Sequence, residues 1–316
     1  MPRCYVIFNA NAGTALSLSL STDALAAMLV EHGLDPIMDD DESVPLEQRI
    51  ARAVASDAEI LVAAGGDGTI TALANAMVGT ERALGILPLG TVNALAKDLN
   101  VPLELEDAMD VLAAGERQWI DVGEVDGRFF LHKVVIGLIP ALAAGREHIR
   151  GKADLAAKVG YLRFFFRRLA RARRFAVAID RGDGNPKAER VQAVAVASNS
   201  YVEGVGRIFS RDRLDQGELS LYVLRHLTVR DFFRLSWGMV MGNWQNDEVL
   251  SIEKVNEVTI TAHKQAVKVM FDGEVETMYF PLHFRIRHHA LCVVAPAPPE
   301  NTPRDTATEI AEEIAP

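Results

Sequence analysis

Short apolar runs alternate with helical periods over the first 122 residues. Strands are predicted at residues 3–10, 35–38, 59–64 and 84–87, and the third of these is uniformly apolar after its first residue, as in a strand buried on both faces. Helices are predicted between and after them at residues 18–32, 46–55, 70–77, 92–99 and 105–114. Strands that alternate with helices predict a parallel sheet covered by helices on both faces.

The pattern changes beyond residue 122, where strand-like segments follow one another. They lie at residues 129–138, 175–180, 191–198, 219–224, 255–261, 266–271, 277–280 and 284–294. Two helical stretches interrupt them, at 155–172 and 229–244. Consecutive strands separated by turn signals indicate an antiparallel sandwich. The predicted fold class is therefore α/β plus all-β.

Composition supports an ordinary globular protein of about two domains. The chain has 316 residues, of which 49% are hydrophobic and 24% charged. No apolar run is long enough to cross a bilayer, and polar Asn9 interrupts the first apolar run too early for a signal peptide. Cys4 and Cys292 stand in apolar runs without metal or redox spacing. These features predict a cytoplasmic protein with two buried thiols.

Charge is distributed unevenly along the chain. The net charge of −10 argues against a general nucleic-acid binder, yet residues 146–174 hold ten basic and two acidic side chains. A helix here would place Phe165 and Phe166 on one face and Arg163 and Arg167 on another. Two interpretations stay open: a packed amphipathic helix with a solvated basic face, or a segment that docks on anionic lipid.

A glycine-rich turn, residues 65–69, follows the apolar run at 59–64 and reads Gly-Gly-Asp-Gly-Thr. Glycine lets the backbone approach a ligand closely, and the free N–H groups of a following helix suit a phosphate. Asp67 fits such a loop when it helps to hold a Mg²⁺ ion that bridges phosphates. The alternative is a tight strand–helix turn with Thr69 as N-cap. No lysine follows the turn, which excludes a Walker loop. The third glycine of a dinucleotide-binding fingerprint is also missing, which excludes that motif.

A second loop repeats this geometry one strand later. Residues 87–93 read Leu-Pro-Leu-Gly-Thr-Val-Asn, again a strand end, a turn and a Thr before a helix. The loop at residues 9–13 belongs to the same edge, because the carboxyl ends of parallel strands meet there. The sequence therefore predicts a nucleotide site at this edge, with Thr91 as a plain N-cap as the alternative.

Two acids flank a glycine at Asp272-Gly273-Glu274. Asp-Gly between alternating apolar residues is a strong hairpin signal. A hairpin turn can also present carboxylates to a cleft, where one of them accepts the proton of a hydroxyl that is being phosphorylated. We favour Glu274 as the proton acceptor and Asp272 as the group that orients it or binds Mg²⁺, although the two roles are interchangeable at this level.

These loops together resemble the diacylglycerol kinase/sphingosine kinase catalytic family, in particular its small bacterial lipid kinases. The resemblance rests on residues 65–69 and 88–93, on Asp272-Gly273-Glu274, and on residues 9–13, where Asn-Ala replaces the usual Asn-Pro. Asn199 with Gly204 and Gly206 is similar to a glycine-rich stretch of the second domain. The resemblance covers most of the chain.

The resemblance implies an ATP- and Mg²⁺-dependent kinase that phosphorylates the hydroxyl of a diacylglycerol-like lipid at a membrane surface, and so a role in phospholipid biosynthesis. It implies an ATP-binding domain at 1–122 with a return strand near 285–297, a β-sandwich domain at 123–284, an active site in the cleft, and a disordered acidic tail at 298–316. It assigns nucleotide binding to Asn9, Gly13, Gly65, Gly66, Asp67, Gly68, Thr69, Thr91 and Asn93, and catalysis to Asp272 and Glu274.

One departure concerns a structural Mg²⁺ site that the family often carries at an Asp-Asp-Gly turn. Here the turn reads Asp215-Gln216-Gly217, so Gln216 stands where a ligating Asp is expected. The matching carbonyl ligands would be Arg213 and Glu218. Loss of the carboxylate removes the main charge attraction for a hard cation.

Histidines show no metal-ligand spacing, and His288 and His289, as neighbours in a strand, are expected to point to opposite faces. Two rival functions remain. An NAD kinase would share the first glycine loop but gives no reason for the second or for the basic helix. A regulatory protein that binds a nucleotide or lipid without turnover would fit Gln216 and the missing Asn-Pro pair. The lipid and the oligomeric state stay open.

Overall fold

The computed structural model describes residues 1–138, 140, 155–202, 210–245 and 248–297. The predicted acidic tail, Gly204, Gly206 and residues 146–154 of the basic segment lie outside this part of the chain. The helices described are α1 (Gly13–Leu18), α2 (Thr22–Glu31), α3 (Leu46–Ala55), α4 (Asp67–Met77), α5 (Ala94–Asp98), α6 (Leu105–Ala114), α7 (Leu155–Ala170) and α8 (Val229–Met241).

Sixteen strands are described, and they form two sheets. The strands are β1 (Arg3–Phe8), β2 (Asp35–Asp39), β3 (Ile60–Gly65), β4 (Ala83–Pro88), β5 (Glu116–Val125), β6 (Arg128–Phe130), β7 (Lys133–Gly137), β8 (Phe175–Asp180), β9 (Lys187–Val191), β10 (Ala193–Ser198), β11 (Leu219–Leu224), β12 (Leu250–Val255), β13 (Glu257–Thr261), β14 (Ala266–Phe271), β15 (Glu274–Tyr279) and β16 (Leu282–Ala295).

The larger sheet joins the two halves of the chain. Its order is β2-β1-β3-β4-β16-β13-β8-β9, with β5 paired to β16 and β6 to β5. Strands β1 to β4 are parallel, as the alternating pattern predicts. Long strand β16 pairs in parallel with β4 near Val293 and antiparallel with β13 and β5. It therefore runs from the C-terminal half into the N-terminal sheet.

The smaller sheet is antiparallel, in the order β12-β11-β10-β7-β14-β15. Side chains of both sheets form one core, in which Phe130 and Phe284 of the larger sheet pack with Val134 and Val194 of the smaller. A separate core lies between helices and strands β1, β3 and β4. The predicted fold class, a parallel α/β half and an antiparallel sandwich, is confirmed.

Several predicted elements need correction. The helix predicted at 18–32 begins at Thr22, and a separate short helix α1 precedes it, divided from it by left-handed Ser19. Strands β5, β9 and β12 were not predicted. The loop predicted at 65–69 is much shorter, because β3 runs through Gly65 and α4 already begins at Asp67.

Candidate active site

Three loops meet at the carboxyl edge of β1, β3 and β4. The backbone N–H of Asn9 donates to Ala64 O at 2.9 Å, and that of Leu89 donates to Gly65 O at 3.0 Å. The backbone N–H of Thr14 in α1 donates to Leu89 O at 2.9 Å. The sequence-predicted loops at 9–13, 65–69 and 87–93 therefore form one continuous rim.

Close backbone contact explains why the rim needs glycine. A Cβ atom on Gly90 would lie 2.6 Å from the Cα of Gly66, and a Cβ on Gly65 would lie 2.8 Å from the Oγ1 of Thr69. Gly13 is less crowded, since its Cβ would lie 3.3 Å from the Oγ1 of Thr91. By contrast, a Cβ on Gly68 would meet no atom within 4 Å, so the backbone there faces open space.

Asp67 ties the first glycine loop to the second. Its carboxylate accepts the backbone N–H of Asn93 at 3.0 Å and that of Ala94 at 2.7 Å, the residues at which α5 begins. An acid is well placed beside these free N–H groups, which carry the positive end of the helix. The amide of Asn93 then shapes the loop, because its Oδ1 accepts from Gly90 N at 2.9 Å and its Nδ2 donates to Gly90 O at 2.9 Å.

Neither threonine caps its helix, so the alternative interpretations as plain N-caps are wrong. The N-cap of α4 is Gly66, and Thr69 is buried in the first helical turn. The N-cap of α5 is Asn93, in the left-handed region at φ 52°. Thr91 lies exposed on the loop above the rim.

Arg211 joins the two halves of the chain at the C-terminal end of α5. Its guanidinium donates to the carboxylate of Asp98, at the end of α5, at 2.6 and 3.0 Å. It also donates to Leu131 O at 2.7 Å and Ser198 O at 2.9 Å. The side chains of Arg211 and Asp98 are 1% and 7% exposed, so the pair is buried.

His132 completes this junction, with its Nδ1 2.8 Å from Arg211 Nη2 and 3.5 Å from Asp98 Oδ2. Burial raises the pKa of Asp98, but the hydrogen bonds and charges of His132 and Arg211 outweigh it and leave the pKa below its usual value. Asp98 is therefore a stable anion between the two halves.

The predicted acid turn lies at the other end of this junction. The carboxylate of Asp272 accepts three backbone N–H groups, from Leu131 at 2.7 Å and from His132 and Lys133 at 2.9 Å each. Asp272 itself has φ 44°, followed by Gly273 at φ 101°, as a tight hairpin requires. Glu274 begins β15 with its side chain exposed.

A continuous set of contacts thus links the rim to the acid turn. It runs from Asp67 to the start of α5, along that five-residue helix to Asp98, across Arg211 and His132, and on to Asp272. The structure brings together at the rim the predicted loops that contain Asn9, Gly13, residues 65–69, Thr91 and Asn93. It places Asp272 and Glu274 beyond the junction, on the second half of the chain.

Lys133 is a candidate functional residue that the sequence did not reveal. Its ammonium lies 5.0 Å from the ring centroid of Tyr201. Burial, assisted by the charge of Arg211, lowers the pKa of Lys133 to about 8, although Asp272 and Asp98 partly offset this. No motif marks Lys133. The one signal in the sequence was a lysine inside the mostly apolar strand predicted at residues 129–138.

The predicted structural-metal residues line the turn before β11. Arg213 pairs with Asp215 through its Nε at 2.9 Å, and the backbone N–H of Gln216 donates to Asn199 Oδ1 at 3.1 Å. The carboxylate of Glu218 contacts Lys254 at 2.7 Å and accepts from the Ser200 hydroxyl at 2.8 Å. A metal role for these residues stays a prediction.

Two family models match the chain. Residues 3–125 match the family described as diacylglycerol kinase catalytic domain. Residues 143–295 match the YegS C-terminal NAD kinase beta sandwich-like domain. The chain belongs to the diacylglycerol kinase catalytic family. The predicted family is confirmed, and with it the prediction that the chain is a lipid kinase. Its domain boundaries and the roles of its site residues stay predictions.

Relatives of this family resemble the chain along most of its length. A diacylglycerol kinase of Bacillus subtilis (strain 168) is 26% identical over 244 residues, which cover 75% of this chain and 78% of the relative. One from Staphylococcus saprophyticus is 23% identical over 282 residues, covering 86% of this chain and 88% of the relative. A crystal structure of a diacylglycerol kinase from Bacillus anthracis str. Sterne is 18% identical, with a TM-score of 0.67 over 93% of this chain and 96% of the other, and shares its fold.

Proposed function

We propose that this enzyme transfers the γ-phosphoryl group of ATP to the hydroxyl of a diacylglycerol-like lipid. The observation that carries the proposal is the set of contacts from Asp67 through Asp98 and Arg211 to Asp272. It connects a glycine rim suited to phosphates with an acid turn suited to accept a proton.

ATP would lie on the rim, with its phosphates along Gly66, Gly68 and the second loop at Gly90. The close Gly66–Gly90 contact leaves backbone N–H groups rather than side chains at this surface. Asp67 is the residue that would hold Mg²⁺ there. The ion would neutralise charge on the phosphates during transfer.

Phosphoryl transfer forms a bond between the lipid hydroxyl oxygen and the γ-phosphorus and breaks the bond from that phosphorus to the oxygen of the departing ADP. The hydroxyl proton must go to a base. Glu274 is the better acceptor because its side chain is exposed, whereas the carboxylate of Asp272 already accepts three backbone N–H groups. In this proposal Asp272 fixes the turn that presents Glu274.

A lipid substrate requires access to a membrane surface, and helices α7 and α8 offer a suitable face. Phe233, Trp237 and Met241 are spaced four residues apart on α8 and are 58%, 66% and 43% exposed. Phe233 stacks on Phe166 of α7 with ring centroids 5.5 Å apart, so the two helices form one surface. Exposed apolar patches of this kind mark interaction sites.

Basic side chains surround this apolar surface. On α7, exposed Phe164 stands among exposed Arg163, Arg167 and Arg168. On α8, Arg230 and Arg234 flank the stripe of Phe233 and Trp237. Arginine around exposed aromatic rings suits the headgroup region of an anionic membrane, where each cation contributes about 1 kcal/mol. Among the described residues, no helix is long and apolar enough to span a bilayer.

Labelled ATP and a total lipid extract test the proposed reaction. We expect a labelled phosphate monoester of a glycerolipid, dependent on Mg²⁺. NAD is included as a competing acceptor, and formation of NADP without a lipid product would favour an NAD kinase. ATP binding without transfer to any lipid would favour the regulatory alternative.

Vesicle sedimentation tests the membrane face separately. The double variant Phe233→Ser/Trp237→Ser removes two exposed apolar side chains and should weaken binding to vesicles roughly 10- to 100-fold. Neutralising Arg163, Arg167, Arg168 and Arg171 should weaken binding only to vesicles that contain phosphatidylglycerol, and should reduce its salt dependence. Val30→Ser on α2 is the matched control, since Val30 is 50% exposed outside this face. Unchanged binding by both sets of variants would disprove the membrane face.

A further inference from the structure

Three segments that are distant in sequence meet at the carboxylate of Asp121. Asp121 lies on β5, and its side chain is fully buried. One oxygen accepts the backbone N–H of Gly217 at 2.6 Å. The other accepts the backbone N–H of His289 at 2.9 Å and lies 2.8 Å from the Nδ1 of His288. Backbone N–H groups from two other segments therefore hold the carboxylate in place, in addition to the contact with the His288 side chain.

The two histidines lie on the same side of β16, which corrects the expectation that they point to opposite faces. Strand β16 shifts register between Arg287 and Leu291, and His289 adopts φ 47°. This irregularity breaks the alternation of side chains that a regular strand imposes. The imidazole rings stack with centroids 3.8 Å apart and planes inclined by 23°.

The resulting donor set has the composition of a transition-metal site. Asp121, His288 and His289 each offer a ligand atom, and these atoms lie within 4.8 Å of one another. Two imidazoles and one carboxylate suit Zn²⁺ and similar ions, with water in the fourth position. Mg²⁺ prefers oxygen ligands, and imidazole discriminates against it. The set is therefore chemically distinct from the phosphate-bridging Mg²⁺ assigned to Asp67.

The three side chains differ in their exposure to solvent, and this difference favours binding of an ion from solvent. Asp121 is buried and rigidly held, whereas the two imidazoles are exposed and approachable. The backbone donors from Gly217 and His289 orient the carboxylate, as partners outside the ligand sphere do in metal sites. Gly217 also approaches the ring of His288 closely, since a Cβ there would lie 3.2 Å from Nδ1.

We propose that Asp121, His288 and His289 form a binding site for Zn²⁺ or a similar borderline divalent cation. The ion would take the place of the proton between Asp121 and His288. It would cross-link β5 and β16, beside the turn at residues 215–217 that Asp121 also holds. The site is independent of the phosphotransfer reaction proposed above.

Titration of untagged full-length protein with ZnCl₂, monitored by isothermal titration calorimetry, tests the site. We expect one ion per chain, a rise in melting temperature with Zn²⁺, and no competition from Mg²⁺. Co²⁺ serves as a spectroscopic probe, because imidazole and carboxylate ligands in a four- or five-coordinate site give intense visible bands. His288→Ala and His289→Ala should each weaken binding about tenfold or more, and Asp121→Asn should do the same.

His283→Ala is the matched control, because His283 lies on the same strand and its ring contacts Thr259 instead. It should bind Zn²⁺ like wild type. Absence of Zn²⁺ uptake by wild type would overturn the proposal. So would uptake that persists unchanged in His288→Ala and His289→Ala, or a Co²⁺ spectrum of an octahedral ion coordinated by water alone. Melting temperatures of the metal-free variants show whether each one is folded.

Discussion

Two carboxylates, one in each half of the chain, perform similar tasks in different settings. Asp67 accepts two backbone N–H groups at the start of α5, within the α/β half. Asp272 accepts three backbone N–H groups of residues 131–133, within the sandwich half. Each holds a loop in shape, but Asp67 also lies at the proposed phosphate rim, whereas Asp272 leaves the proposed chemistry to its exposed neighbour Glu274.

The difference indicates that the two halves of the chain have different proposed roles. On the rim side, backbone geometry and one acid are proposed to bind the nucleotide. On the sandwich side, an anchored acid is proposed to present a free one to the substrate. Arg211 bonds directly to both sides, through Asp98 of α5 and through Leu131 O. The following variants separate these contributions.

The largest effect should come from Glu274→Gln. Removal of the proton acceptor lowers kcat by about 10²- to 10⁴-fold, the usual contribution of a general base. ATP binding should persist, because Glu274 begins β15 and contributes no group to the glycine loops of the rim. Steady-state kinetics with a lipid acceptor and calorimetry with ATP provide the two readouts. The control is Glu276→Gln on the same strand, where the side chain pairs with Arg128; equal losses of kcat in both variants would refute the role of Glu274.

Arg211→Met should be the most destabilising change at the junction. It leaves the buried carboxylate of Asp98 without its guanidinium partner and removes donors to Leu131 O and Ser198 O, at a cost of about 3–5 kcal/mol. Chemical denaturation measures the free energy of unfolding. Arg213→Met provides the comparison, because its pair with Asp215 is about one-third exposed and contributes at most about 1 kcal/mol. Similar losses for both variants would show that the junction has no special role.

Asp67→Asn tests the contribution of the Asp67 charge to the glycine rim. The variant keeps the shape of the side chain but removes the charge that binds the N–H groups of α5 and, in our proposal, Mg²⁺. We expect kcat/KM to fall about 10²- to 10³-fold, as for the loss of an electrostatic group at a reacting phosphate. Asp107→Asn, another acid in the first turn of a helix, is the control and should retain full activity. Activity close to wild type in Asp67→Asn would contradict the rim proposal.

The smallest effect concerns the pH dependence of stability through Lys133. Burial lowers its pKa from 10.5 to about 8, so the folded protein bears the cost of a buried cation below pH 8. As the pH rises from 8 towards 10.5, the unfolded chain binds more protons than the folded one, and stability attributable to Lys133 increases.

Wild type should therefore gain ~1–3 kcal/mol relative to Lys133→Met between these two pH values. Denaturation of both proteins at several pH values measures the difference. A difference that is constant with pH would show that the pKa of Lys133 is not lowered. Lys268→Met, at an exposed position of β14, should show no such trend.

The rim was predictable because each of its loops is a local strand–turn–helix pattern. Gly66, Asp67 and Gly90 lie next to the strands that position them, and glycine is needed where the two backbones touch. The sequence also indicated the hairpin at Asp272. It did not show that Gly66 and Asn93 rather than threonines precede the helices, because backbone conformation decides the cap.

The junction could not be predicted from local patterns. Arg211 and Asp98 are 113 positions apart, and Asp272 and Leu131 are 141 apart. No period or motif records such pairs, which depend on how β16 and β5 join the two halves. The histidine pair was misjudged for a related reason, since strand alternation predicts opposite faces and only the backbone irregularity at His289 overrides it.

Hydrogen–deuterium exchange in the presence and absence of Mg²⁺ and a non-hydrolysable ATP analogue tests the cleft most directly. If the nucleotide lies on the rim and faces the acid turn, amides at residues 66–69 and 90–94 exchange more slowly when it is bound, and those at 271–275 are also protected. Unchanged exchange at both glycine loops under saturating nucleotide, with protection elsewhere, would contradict the proposed site.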